Sequence, residues 1–137
     1  MISVSEGTKG KGDDGYNVIV GGSLFNSYDD HPRVLVDLGH GLMSTAAGRY
    51  QILRKMFDVY RVQLHLPDFG HDSQDKIALQ MISECQAFND IEQGNIARAI
   101  QKCSSRWASF PGAGYGQHEN RMQKLLDAYT AAGGTLA

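Results

Sequence analysis

Apolar stripes at helical spacing, each closed by its own stop signal, follow one another from residue 52 onward, and they constrain this chain more than any other feature. Ile52, Leu53, Met56, Phe57, Tyr60 and Leu64 form the first stripe, and Pro67 ends it. Ile77, Ala78, Met81, Ile82 and Cys85 form the second, with Asp72 or Ser73 as its cap. A short helical turn over 88–92 stops at Gly94. A helix capped by Asn95 then buries Ile96, Ala99, Ile100, Cys103 and Trp107 and ends at Pro111. The last helix starts near His118, turns Met122, Leu125, Leu126 and Tyr129 inward, and stops at Gly133-Gly134. Helices of this kind must share a core, and 137 residues with 42% hydrophobic content suit a single domain over 1–137.

The first fifty residues read differently. Met1, Ile2 and Val4 make a short apolar segment, and a charged, glycine-rich loop follows from Lys9 to Gly15. Tyr16, Val18 and Val20 share one face of a strand, Gly21-Gly22 supplies a tight turn, and residues 23–25 return as a hairpin. Between Asn26 and Gly41 turn formers dominate around Val34-Leu35-Val36, which predicts irregular chain with one more short strand. The class is α+β, mostly helical with a small β-hairpin sheet near the N-terminus.

Composition removes several functions. Thirteen basic and fifteen acidic residues are spread evenly, giving a net charge of −2, so nothing marks a nucleic-acid binder. No apolar run approaches the ~20 residues that span a bilayer, and the start lacks the pattern of an export signal. Cys85 and Cys103 sit among apolar neighbours and read as free buried thiols of a reducing compartment. The histidines, His31, His40, His65, His71 and His118, have no ligand spacing, so no metal or cofactor is called for. Residues 10–15 match G-x-G-x-x-G, but a strand follows where a helix should, and Asp13 and Asp14 would repel a pyrophosphate.

Glu6 is the candidate for chemistry. A carboxyl at the end of an apolar helix that runs out into a cleft is poorly solvated, which raises its pKa and lets it serve as a general acid. Two distant segments, Gly48-Arg49-Tyr50-Gln51 and Pro111-Gly112-Ala113-Gly114-Tyr115-Gly116-Gln117, carry the residue types that hold sugars. Three glycines around one tyrosine let backbone approach a ligand and a ring stack on a pyranose face. The three segments together point to one cleft.

Those stretches, with Ser5-Glu6-Gly7-Thr8, Tyr16-Asn17-Val18-Ile19-Val20-Gly21-Gly22, Asp30-His31-Pro32-Arg33, Ser73-Gln74-Asp75 and Trp107-Ala108-Ser109-Phe110, closely resemble the bacteriophage lambda lysozyme (endolysin) family, in order from Ser5 to Thr135. The resemblance implies a lysozyme-like fold and a peptidoglycan lytic transglycosylase that cuts between N-acetylmuramic acid and N-acetylglucosamine. It implies Glu6 as the single catalytic acid, and Ser44, Tyr50, Gln51, Gly114, Tyr115 and Gln117 as substrate-binding positions. It further implies a monomer that acts on glycan strands of the periplasmic cell wall after waiting in the host cytoplasm, without stable membrane association.

A single carboxylate suits that chemistry. A hydrolase usually sets a second carboxylate about 5 to 9.5 Å from the first. A transglycosylase lets the muramic C6 hydroxyl attack C1, so the nucleophile is already tethered and one Glu serves as acid and then base, leaving a 1,6-anhydromuramic end. Two alternatives stand beside it: a hydrolytic muramidase using Asp13, Asp14, Asp29 or Asp30, and a catalytically silent glycan binder. Relative to the family, the loop between Thr8 and Gly15 is shorter, Ala46-Ala47 precede Gly48 where the pattern has a glycine in the first place, and the helix carrying Glu6 is cut short at its start.

Overall fold

The computed structural model describes residues Met1 to Ala137. Its elements are α1 (Ile2–Ser5), β1 (Val36–Asp37), β2 (Met43–Ser44), α2 (Arg54–Gln63), α3 (His71–Glu84), α4 (Phe88–Glu92), α5 (Ile96–Cys103) and α6 (Met122–Ala131). The residues sort into two compact units, Thr8–Ala78 and Met1–Gly7 with Leu79–Ala137.

The Thr8–Ala78 unit is built from loops around a small aromatic core. Phe57 and Phe69 meet edge to face at 5.0 Å, and both are fully buried with Ile77. Each such side chain contributes about 1.5–3 kcal/mol by leaving water. The buried His31 packs against Phe69, accepts the Arg33 N–H at Nδ1 and places Nε2 2.8 Å from the Ile52 carbonyl. With Nδ1 accepting, Nε2 carries the proton and donates to Ile52. Burial pulls its pKa below the usual histidine value, which favours this neutral form.

So loop-rich a unit has many backbone groups with no ladder partner, and Gln74 satisfies several of them. Its buried amide donates to the Tyr16 carbonyl at 3.0 Å and the Phe69 carbonyl at 2.8 Å, and its oxygen accepts the Arg49 N–H at 2.9 Å. Gly48 lets the chain pass over this amide. Its φ is +83°, and a Cβ there would collide with the Gln74 amide and the Phe69 ring.

In the other unit α1 packs on α6, α4 on α5, and α5 on α6. The α5 stripe is buried as its spacing predicts, at Ile96, Ala99, Ile100 and Cys103. Asp90, buried on α4, is paired with Lys102 at 2.5 Å. Removing one partner of such a pair costs more than the pair itself contributes.

Several boundaries depart from the sequence reading. The hairpin over 16–25 shrinks to one antiparallel bridge, Val18 to Leu24. Asn17 explains this, because its side chain accepts the Asp13 N–H and donates to the Phe25 carbonyl, competing with a regular ladder. The true two-stranded sheet pairs Val36 with Ser44 and Asp37 with Met43. Ile52 bridges to Ala47, so α2 starts only at Arg54, whose N–H is taken by the Thr45 hydroxyl. Asp72 and Ser73 lie inside α3, and it is Asp68 that accepts from Gly70 N–H and the Ser73 hydroxyl ahead of that helix. Trp107 lies beyond the end of α5, though only 2% exposed, and α6 begins at Met122 rather than near His118. Cys103 is buried and Cys85 only half-buried, and both are free thiols.

Replacing Gln74 by leucine keeps the volume and strands three backbone groups, the buried Phe69 carbonyl and the half-buried Tyr16 carbonyl and Arg49 N–H. Urea denaturation is expected to show a loss of about 3–5 kcal/mol, at roughly 1–3 kcal/mol per orphaned group with partial relaxation.

Candidate active site

Glu6 is the C-cap of α1, and Gly7 follows in the left-handed region with a φ of +73°, so the chain turns away immediately after the carboxylate. Ser3 and Ser5 are buried and Glu6 is half-buried. Burial withholds water from the carboxylate and raises its pKa to about 7. The Ser109 hydroxyl opposes this in part by donating to Oε1 at 3.1 Å. Glu6 therefore keeps its proton to a higher pH than an ordinary glutamate does.

A buried polar network lies behind that carboxyl. The Ser5 and Ser109 hydroxyls are 2.7 Å apart. The Asn120 amide nitrogen lies 2.9 Å from the Ser5 carbonyl, 3.1 Å from the Ser5 hydroxyl and 3.3 Å from the Ser109 carbonyl. Lys124 donates to the Asn120 amide oxygen at 2.9 Å. Neither Asn120 nor Lys124 lies in a motif or apolar stripe that spacing along the chain would mark. Ser109 lies inside the Trp107–Gln117 segment that carries the resemblance, which assigns it no role.

The glycine-rich loop of the same unit has a staple of its own. Glu119 accepts the Gly112 N–H on one carboxylate oxygen at 2.9 Å and the Gly114 N–H on the other at 3.0 Å. These bonds hold its carboxyl below the usual glutamate range. Tyr115 is 55% exposed and donates its hydroxyl to the Ser105 carbonyl at 2.9 Å, and Gln117 is exposed. Gly114, Tyr115 and Gln117 thus belong to one loop pinned by a residue that sequence reasoning missed.

The other three predicted glycan positions fall in the Thr8–Ala78 unit. Tyr50 donates its hydroxyl to Asp75 at 2.6 Å, and Tyr16 donates to the same oxygen at 2.8 Å. Gln51 has a φ of +52° and turns its amide back onto the Gly48 carbonyl at 2.9 Å. Ser44 ends β2, and its hydroxyl accepts the Ala46 N–H at 3.1 Å. Tyr50 and Gln51 are consecutive residues of one turn, both half-buried, and the anchor Asp75 lies in the Ser73-Gln74-Asp75 stretch of the resemblance, which assigns it no role.

Of the four carboxylates weighed as second acids, three are engaged within that unit. Asp13 accepts from the Tyr28 hydroxyl at 2.7 Å and lies 2.6 Å from His71 Nε2. Asp14 accepts the Gly10 N–H and pairs with Arg49 at 2.6 Å. Asp30 pairs with Arg33 at 2.8 Å, and Arg33 also reaches Asp58. These partners hold all three below the ordinary aspartate pKa. Asp14 thereby takes up the Gly10 N–H inside the glycine pattern of residues 10–15. No group of three or more His, Cys, Asp or Glu side chains is placed to hold a metal ion.

The pH dependence of the Glu119 staple follows from its sign. A carboxyl whose folded pKa is depressed holds its partners at neutral pH and releases them as pH falls through that lowered value. In an NMR titration the Gly112 and Gly114 amide shifts are expected to move together with a midpoint below 4.5, and Glu119→Ala abolishes that joint titration.

The chain as a whole matches the endolysin family model over residues 1–136. It is 51% identical to the endolysin of Escherichia phage lambda over 99% of this chain and 89% of that protein. It is 45% identical to the endolysin of Escherichia phage P2 over 100% of this chain and 91% of that one. Among solved structures, bacteriophage lambda lysozyme complexed with a chitohexasaccharide superposes with a TM-score of 0.97 at 50% identity, over 99% of this chain and 91% of that one. A second structure of lysozyme from bacteriophage lambda gives 0.91 at 49% identity with the same coverage. The fold is therefore lysozyme-like, and the chain belongs to the endolysin family.

Proposed function

We propose that this protein is a phage or prophage endolysin that breaks peptidoglycan by lytic transglycosylation, with Glu6 as general acid and then base. The observation that carries the reading is the half-buried Glu6 carboxyl, raised to about 7 and with one hydroxyl donor on Oε1. A general acid works best when its pKa lies near the working pH. The saccharide held by the lambda lysozyme supports a glycan substrate here.

In the proposed cycle, Glu6 gives its proton to the glycosidic oxygen as the bond from N-acetylmuramic acid C1 breaks. The carboxylate left behind takes the proton of the muramic C6 hydroxyl as that oxygen closes on C1, so Glu6 ends protonated as it began. No water enters the product, which is why no second carboxylate is required. That Asp13, Asp14 and Asp30 are committed to internal partners favours this course over hydrolysis. Ser44, Tyr50, Gln51, Gly114, Tyr115 and Gln117 contact the glycan in this reading, Tyr115 through its exposed ring. The protein acts as a monomer without cofactor, collecting in the host cytoplasm and acting on the periplasmic wall. No helix is long and apolar enough to cross a membrane.

The acid must be protonated to act, so activity is expected to fall as pH rises through about 7. Mass spectrometry of soluble muropeptides from purified sacculi is expected to show ends lighter by one water and resistant to borohydride. Reducing ends would establish hydrolysis instead, and sacculus binding with no soluble product would establish a silent binder. Glu6→Gln is expected to release nothing while folding normally. Because the raised pKa makes the ionised form unfavourable in the folded state, stability falls between pH 4.5 and about 7, and the Gln variant escapes that loss.

A further inference from the structure

We infer that Asn120, Ser5 and Ser109 form a one-way hydrogen-bond relay that keeps Glu6 Oε1 an acceptor and so confines the acid proton to Oε2. This rests on Glu6 being the proton donor proposed above. The directions in the relay start from groups that have no choice of role and pass from them to the hydroxyls. The Ser5 and Ser109 carbonyls can only accept, and the Lys124 ammonium can only donate. The Asn120 amide must therefore turn its nitrogen to the serines and its oxygen to Lys124.

From there the remaining hydroxyls are fixed in turn. The Ser5 hydroxyl accepts from the Asn120 amide at 3.1 Å, so its own proton goes to its other partner, the Ser109 hydroxyl 2.7 Å away. The Ser109 hydroxyl accepts there and turns its single proton to Glu6 Oε1 at 3.1 Å. Donation runs from Lys124 through Asn120, Ser5 and Ser109 to Glu6, and successive bonds of one direction polarise one another. Because Oε1 receives a proton from Ser109 in both charge states, the carboxylic proton sits on Oε2. The relay leaves that oxygen to the substrate. Ser5, Ser109 and Asn120 are positioning residues, since none of them needs to touch glycan.

The charged groups near this carboxyl are turned to other partners, which leaves burial as the larger influence on it and the Ser109 hydroxyl as the smaller. On α6, which packs against α1, Lys124 is turned to Asn120, Asp127 accepts from Gln123, and Tyr129 is half-buried. Glu119, just before, is taken up by Gly112 and Gly114. Burial and the Ser109 hydroxyl are what set the Glu6 proton affinity.

The test is a carbon-13 NMR titration of the Glu6 side-chain carboxyl, identified by its disappearance in Glu6→Gln, run beside the pH profile of kcat/KM on sacculi. Ser109→Ala is expected to move the Glu6 midpoint upward by about one pH unit, the usual worth of a hydrogen bond to a charged group, and to carry the alkaline limb of activity with it. Ser5→Ala moves both in the same direction by less, and Ser109→Thr restores the midpoint by restoring the hydroxyl. A midpoint equal in all four proteins overturns the relay, as does a shifted midpoint with an unmoved activity limb. Should Glu6→Gln keep its activity, the proposed function fails, whereas the NMR midpoints still judge the hydrogen-bond chain by themselves.

Discussion

One buried amide, that of Asn120, holds together segments that begin and end 115 positions apart. Its nitrogen reaches the backbone and hydroxyl of Ser5 at the end of a four-residue helix, and the backbone of Ser109. A helix of one turn has no stability of its own, because nucleation costs more than a single turn returns. Packing on α6 and these hydrogen bonds keep α1 in place, and with it the direction in which Glu6 projects. Lose them and the carboxyl has no fixed orientation.

The Thr8–Ala78 unit solves a comparable problem with Gln74. In both units loops carry the residues of interest, and loops leave backbone N–H and carbonyl groups without ladder partners. A carboxamide offers donors and an acceptor from one side chain, so it satisfies several such groups at once. Asp75 with its two phenols and Glu119 with its two glycine amides repeat the device with carboxylates. No buried side-chain nitrogen or oxygen is left without a partner. Loops tied down at their backbone have less conformational freedom left to lose when a ligand binds.

The legible part of the fold was its periodic part. The stripe from Ile96 to Cys103 is a helix buried on the side its spacing marks, and Gly94 lies just before it as read. Helical periodicity survives because it depends on neighbours three and four positions away. Strand pairing does not survive so well, since each ladder bond depends on a distant partner and a local competitor can replace it. Asn17 is such a competitor, and the expected hairpin is reduced to one bridge. Ile52 fits a helical stripe by spacing but is drawn into a bridge with Ala47, which moves the start of α2.

By itself the sequence determined the family, the mostly helical class and Glu6 as the candidate acid, because long ordered motifs and apolar periodicity are written in consecutive residues. Only the tertiary structure decided how that carboxyl is solvated and which groups fix its proton. Its pKa depends on how completely water is excluded and on a hydroxyl 103 positions away. The same reason separates Asp13, Asp14 and Asp30, drawn into ion pairs and hydrogen bonds, from free acids of the same type. A charge is set by what surrounds it in space, and spacing along the chain does not report that distance.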